Sequence, residues 1–301
     1  MMMVSHIYKG ICKVMAVVGM TLSMACSCGK SADYLEPPHI VAPEPPVEPT
    51  YEKGEGVIRL VSYNVGLFTK YTGKYTNTID MVAKMMLELQ ADAVCLNELD
   101  SCTTRTNKIF QSYELAKKMG NWHHFFGAAM PHLGGAYGEG MIVSPEFKNE
   151  GTYALALPKG KGAEPRVCAV FKTDKFVFLA THLDHVNADA QLDGAMRITE
   201  WAKKNYGDSD IPVFLCGDMN CETHHAPIIY YKEYWKQISI TENTYPAGPG
   251  KYAIKCIDFI FALNNKAKYE VLGSDVPMVF KYGDVSHASD HLPIYVDVRL
   301  K

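Results

Sequence analysis

Short apolar runs, each too brief for an ordinary helix and each ending in polar residues, set the frame for this chain. Residues 57–63, 93–96, 167–171, 176–180 and 211–216 read as strands buried on both faces. The run 292–300 alternates: Leu292, Ile294, Val296, Val298 and Leu300 face one way, while Tyr295, Asp297 and Arg299 face the other. Helical spacing appears between these runs, in the set Ile79, Val82, Ala83 and Met86 and in the set Leu192, Ala195, Thr199 and Ala202. Strands and helices interleave without strict alternation, so the expected architecture is α/β (α+β), with two packed sheets and helices outside them. Residues 243–251, with Pro246, Gly248, Pro249 and Gly250, read as a loop.

The N-terminus belongs to a different regime. Lys9 and Lys13 precede an apolar run over residues 14–24, and small residues lead to Cys26. A basic start, a short apolar core and a small-residue exit describe a secretory signal too short to span a bilayer comfortably. The cysteine at that exit resembles the acylated residue of a bacterial lipoprotein, with Cys28 as the alternative site; a plain cleaved signal is the competing reading. Six prolines between Pro37 and Pro49 forbid helix or sheet and give an extended spacer. The expected organisation is therefore 1–28 signal and lipidation site, 29–53 proline-rich linker and 54–301 folded domain. It places the protein outside the cytoplasm, held at the cell-envelope membrane by lipid.

The formal charge is −3, and cleavage before Cys26 removes two lysines and no acid. A strongly basic surface, as nonspecific binding of long nucleic acid requires, is not evident. Cys95, Cys168, Cys216 and Cys256 lie in or beside apolar runs and read as core fillers, although export would permit disulfides.

Polar stations close the strands: Ser62-Tyr63-Asn64, Asn97-Glu98, Thr181-His182-Leu183-Asp184-His185, Gly217-Asp218-Met219-Asn220, Ile257-Asp258 and Ser289-Asp290-His291. Singly, each reads as a turn former or a cap. In this order they resemble the endonuclease/exonuclease/phosphatase superfamily, over nearly all of the folded part. The most specific pieces are Gly217-Asp218-Met219-Asn220 and Ser289-Asp290-His291, with Ile257-Asp258-Phe259-Ile260 between them. The segment from Asn97 to Arg105 and the Gly134-Gly135-Ala136-Tyr137-Gly138 loop point to a bacterial branch of small metal-dependent hydrolases.

That resemblance implies a four-layer DNase-like sandwich and a divalent-metal-dependent phosphoesterase using Mg²⁺ or Mn²⁺, one ion rather than two. It implies Glu98 as the main ligand, with Asp290 and Asn64 completing the shell. Such cations prefer oxygen ligands and keep several waters, so few carboxylates suffice. It also implies a dyad of His291 and Asp258, in which the carboxylate supports the imidazolium. Asp218 would act on the nucleophilic water or serve the leaving group, and Asn220 and His182 would donate to phosphate oxygens. Tyr137, Asp184, Arg105 and Arg197 are candidate substrate contacts, with loop packing or surface ion pairs as the bland alternatives. Three departures stand out: Gly66 replaces a second acid, Asn97 replaces glutamine, and Glu139 replaces asparagine. His224, His225 and His287 are assigned no role.

The expected substrate is a phosphorylated small molecule or lipid headgroup, with an exported nuclease as the alternative. A noncatalytic binding module would have lost the dyad or the metal glutamate, and both are present. No protein partner is implied, and a monomer is expected. The lipidation reading is tested by mass spectrometry and fractionation. Cys26→Ser should remove the lipid mass and release the protein from membranes, while Cys28→Ser should leave both unchanged; the reverse pattern assigns Cys28.

Overall fold

The computed structural model describes residues 48, 50–73 and 76–301. The expected signal, Cys26, Cys28 and most of the linker lie outside the described residues. Among those described, no helix is long and apolar enough to cross a membrane. By its internal contacts the compact unit runs from Pro46 to Lys301.

In chain order the first strands are β1 (Ile58–Asn64), β2 (Ala93–Ser101), β3 (His123–His132) and β4 (Gly135–Val143). Next come β5 (Asn149–Ala156), β6 (Val167–Thr173), β7 (Val177–His182) and β8 (Val213–Asp218). The last are β9 (Trp235–Gln237), β10 (Asp258–Leu263), β11 (Tyr269–Asp275) and β12 (Ile294–Leu300). The helices are α1 (Ile79–Glu88), α2 (Gln111–Lys118), α3 (Ala188–Tyr206), α4 (Ala226–Tyr234) and the single turn α5 (Val285–Ala288). The strands form two six-stranded sheets, ordered β11-β12-β1-β2-β4-β3 and β5-β6-β7-β8-β10-β9. Each is mixed, because β1 pairs in parallel with β2, and β7 with β8.

Alternation within the central strands explains the layers. Leu60, Ala93 and Cys95 of one sheet meet Phe178, Ala180, Phe214 and Cys216 of the other in a core made between sheets. The intervening residues face outward and are covered as well. Val61, Tyr63, Val94 and Leu96 pack beneath α1 and α2, and Val177, Leu179, Val213 and Leu215 pack beneath α3 and α4. Burial on both faces is why these strands read as unbroken apolar runs. The result is a four-layer sandwich, helices–sheet–sheet–helices, as expected. All three cores close within the unit beginning at Pro46, so this unit is self-sufficient for folding. Cys95, Cys168, Cys216 and Cys256 are free and buried, consistent with filling.

The tail of the expected linker is part of this unit. Arg59, fully buried on β1, donates through Nε and Nη2 to Asp297 of β12 at 2.7 Å each. Its remaining protons go to the carbonyls of Leu89, Tyr51 and Glu52, which uses all of the guanidinium's donors. Lysine has neither the fork nor the number of donors. Arg59→Lys is therefore expected to lower unfolding stability by about 2–4 kcal/mol in urea titration, through carbonyls and a carboxylate left without partners.

Candidate active site

Strand register brings the polar stations together. His182 ends β7 beside Asp218 at the end of β8, and Asp218 is paired across the sheet with Asp258 at the start of β10. One row across the second sheet thus presents an imidazole and two carboxylates, all buried. His291, just ahead of β12, reaches over from the first sheet. Its Nδ1 lies 2.9 Å from Asp258 Oδ2 and its Nε2 lies 3.5 Å from Asp218 Oδ2. Burial opposes a charge on His291, but the carboxylates of Asp258 and Asp218 outweigh it and lift its pKa to about 10. Burial likewise opposes ionisation of Asp218, yet the charges of His182 and His291 hold it below the usual carboxylate range. A backbone N–H from Asn220 at 2.8 Å adds to this.

Local backbone geometry explains why the motif residues are what they are. Gly217 has φ +149°, and a Cβ there would fall 1.8 Å from the Thr181 carbonyl oxygen, so only glycine fits. Asn220 adopts φ 49°, a left-handed conformation that asparagine tolerates. Its amide nitrogen sits 2.7 Å from His182 Nε2 and donates to Leu183 at 3.1 Å. Glu98 also has positive φ, 58°, where the β2–β4 ladder shifts register between Leu96 and Leu99. A bulge of this kind re-aims a side chain, and here it leaves Glu98 lining the cleft.

Asn97, the residue before Glu98, joins the sheets. Its amide donates to the Thr181 carbonyl and to Glu139 Oε2, each at 2.8 Å, and its oxygen accepts the N–H of Asp218 at 2.9 Å. Glu139 lies under the cleft floor, fully buried, with Oε1 3.8 Å from His182 Nδ1. Desolvation raises its pKa, opposed by the nearby His182 and Arg166.

The donor set fits a hard cation. Glu98 and Asp290 both border the open cleft, and Asp290 Oδ1 is buried with no hydrogen-bond partner. Its Oδ2 holds the Lys70 ammonium at 2.5 Å, so a cation already stands at this carboxylate. Asp218, Asp258 and His291 also converge closely enough to hold an ion. That trio is buried and already paired internally, however, which leaves little room for the waters that Mg²⁺ retains. Glu98 and Asp290, which face the open cleft, would be the residues to hold such an ion.

Several expectations need correction. Asn64 turns its amide nitrogen to Glu98 Oε1 and Asp218 Oδ2, 3.1 Å each, while its oxygen accepts the Gly66 N–H. Its bond to Oε1 holds the Glu98 side chain in place. Asp184 does not line the cleft; it accepts the backbone N–H groups of Ala163, Val186 and Asn187 and so fixes a loop. Arg197 is exposed on α3, away from the lining residues. Arg105 and Tyr137 do line the cleft. Arg105 makes two 2.8 Å bonds to buried Asp100, and its guanidinium lies 5.3 Å from the Tyr137 ring centre.

Sequence reasoning missed Lys70, Arg166, Tyr245 and Lys255, all cleft residues. Arg166 is the most telling, because it is buried with Nε and Nη1 lacking partners while Nη2 lies 3.0 Å from His185 Nδ1. Its one visible signal was a cation placed against the start of an apolar strand. His225 stands at the N-terminal boundary of α4 on the cleft rim, where its Nδ1 accepts the Glu222 N–H at 2.9 Å.

The family model described as Endonuclease/Exonuclease/phosphatase family matches residues 61–291. Among solved structures, a mannosyl-6-phosphatase from Bacteroides thetaiotaomicron is 17% identical with TM-score 0.66, covering 80% of this chain and 99% of that one. An endonuclease/exonuclease/phosphatase from Bacteroides vulgatus is 19% identical with TM-score 0.65, covering 81% and 99%. TDP2 from D. rerio, complexed with single-strand DNA product, is 17% identical with TM-score 0.59, covering 80% and 98%. No match was found among curated proteins. Manganese titration followed by electron paramagnetic resonance tests the ligand geometry. Asn64→Ala should weaken Mn²⁺ binding by about 10- to 100-fold by freeing Glu98.

Proposed function

This chain belongs to the endonuclease/exonuclease/phosphatase family, whose members hydrolyse phosphoester bonds, and from that premise we propose that it cleaves the phosphate ester of a small molecule or lipid headgroup. One observation carries the reading: His182, Asp218 and Asn220 from the second sheet share a cleft with Glu98, Asp290 and His291 from the first. A Mg²⁺ or Mn²⁺ ion held by Glu98 and Asp290 would supply Lewis-acid charge for the phosphoryl oxygens.

The protein's own groups account for the rest. Asp218, kept ionised by two imidazoles, is an acceptor that orients the attacking water. His291, kept protonated by Asp258, donates to a phosphoryl oxygen as negative charge builds there. The His182–Asn220 pair borders the same position, and Arg105 and Arg166 face the cleft as phosphate-binding cations.

The cleft supports a small ester. Its volume is about 660 Å³, the size of a small-molecule site. Lys70, Arg105, Arg166 and Lys255 line it together with Glu98, Glu164, Asp218, Glu222 and Asp290, a mixed set and not the continuous basic track of a nucleic-acid groove. The structural likeness to a mannosyl-6-phosphatase agrees with a phosphate on a polar small molecule. TDP2's DNA product makes the exported nuclease the second reading.

The experiment is a metal-dependent assay of the Pro46–Lys301 unit on para-nitrophenyl phosphate, its bis ester, phospholipid vesicles and plasmid DNA. Asp218→Asn and His291→Ala should each cut turnover by ~10²-fold or more while far-UV circular dichroism shows both variants still folded. Rapid plasmid degradation without action on small esters would assign the nuclease instead.

A further inference from the structure

One of the two carboxylates suited to a hard cation already holds a cation of the protein's own. Lys70 Nζ lies 2.5 Å from Asp290 Oδ2, and the lysine side chain, 44% exposed, lines the cleft. Asp290 Oδ1 is enclosed, 3.3 Å from where a Cβ on Gly66 would fall. The oxygen that can face the cleft is therefore Oδ2, the one that Lys70 occupies. Burial opposes the charge on Lys70, but Asp290 and, less strongly, Glu98 outweigh it and raise its pKa. Both candidate ligands of the ion thus act on this one ammonium.

The backbone under Lys70 is fixed on each side. Before it, Thr69 N–H donates to the Gly66 carbonyl at 3.1 Å, and Thr78 N–H reaches the carbonyl of fully buried Phe68 at 2.8 Å. After it, the Tyr71 hydroxyl donates to the Ala247 carbonyl at 2.7 Å, and Ala247 N–H donates to the Asp290 carbonyl at 2.6 Å. These bonds set the backbone of Lys70 against that of Asp290. What can move is the four-carbon stem, which makes the ammonium a swinging point charge. The two guanidiniums of the cleft differ. Arg105 is forked onto buried Asp100, and Arg166 is itself buried, so neither exchanges partners in this way.

We propose that Lys70 and a divalent ion compete for Asp290, and that the displaced ammonium turns into the cleft to hold the phosphoryl group of the substrate. This rests on reading the cleft as a phosphoesterase site, and it gives that site a residue that couples metal binding to phosphate binding. Charge decides the exchange. An ammonium and a dication at contact distance from one carboxylate oxygen repel each other strongly. Glu98 and Asp290 together attract a dication more than they attract a single ammonium. The released ammonium still lines the cleft, where a phosphate offers it oxygens of comparable charge, and lysine binds phosphate as a point charge.

The test uses the Pro46–Lys301 unit, with Mn²⁺ binding read by electron paramagnetic resonance and thermal unfolding by circular dichroism. Lys70→Met should bind Mn²⁺ at least ~5-fold more tightly than the parent, because the competing ammonium is gone. Lys70→Arg, which keeps a charge at Asp290, should bind it no more tightly. Linkage makes a second demand, since a pair that competes with the ion stabilises the fold only while the ion is absent. Lys70→Met should therefore lower the thermal midpoint by ~2 °C in EDTA and leave it unchanged in saturating Mn²⁺. Inorganic phosphate, titrated calorimetrically in saturating Mg²⁺, should bind Lys70→Met about 10-fold more weakly. Mn²⁺ affinity unchanged or weakened in Lys70→Met, an equal loss of stability with and without the ion, or unaltered phosphate affinity would each overturn the proposal alone. Failure of the parent to bind Mn²⁺, or binding that Glu98→Gln leaves intact, would overturn it together with the ion site. Ester turnover by the parent, followed in parallel, reports separately on the catalytic reading.

Discussion

The amide of Asn97 holds the site together. It is a single buried side chain on the first sheet, and it bonds to the backbone of both central parallel strands of the second, at Thr181 and at Asp218. Between two otherwise apolar sheet faces, a polar group survives only where every donor and acceptor is met. Asn97 meets that condition at the cleft end of the sandwich, using its remaining amide proton on Glu139. It therefore fixes the distance between the sheets at the level where the reactive groups emerge. Glu98 from one sheet and Asp218 from the other then face a common space, linked through Asn64.

The electrostatics follow from that closeness. Two imidazoles and two carboxylates lie buried within hydrogen-bonding reach, so each sets the charge of the next. His291 stays protonated because two carboxylates outweigh its burial, and Asp218 stays ionised because two imidazoles do the same for it. Such pairs are costly unless fully satisfied. Among the buried atoms without partners, Asp290 Oδ1, His182 Nδ1 and Arg166 Nε and Nη1 belong to residues that line the cleft, which is where a ligand would complete them. The opposite solution appears at Arg59, where every donor is used within the protein and the group serves the fold alone.

The layers were legible from the sequence because burial on both faces leaves an unmistakable mark. The central strands β1, β2, β6, β7 and β8 and the apolar faces of α1 and α3 all follow from uninterrupted or periodic apolar residues. Strands β3, β5 and β11 were missed because many of their residues are exposed or half-exposed; β9 is only three residues long, and β4 begins within the stretch read as a Gly134–Gly138 loop, because its glycines hide a strand that is buried along most of its length. Of the site, Glu98, His182, Asp218, Asn220, Asp258, Asp290 and His291 were legible because polar residues interrupt apolar strands at their ends. Arg166 and Lys70 were not, because a cation in a loop looks the same whether it faces a cleft or water.

Sequence alone determined which strands are buried on both faces, which ends were polar, and that a polar series of this order resembles the endonuclease/exonuclease/phosphatase family. Those properties are local, carried by side-chain period and by residues such as Gly217 whose backbone conformation admits no other side chain. Only the tertiary structure decided which polar residues share a cavity. Asp184 and Arg197 sit as close in sequence to the motifs as the true cleft residues do, yet one is spent on backbone N–H groups and the other points into solvent. Direction is set by how strands pair and loops fold back, and that depends on contacts between residues hundreds of positions apart, such as Asn64 with His291.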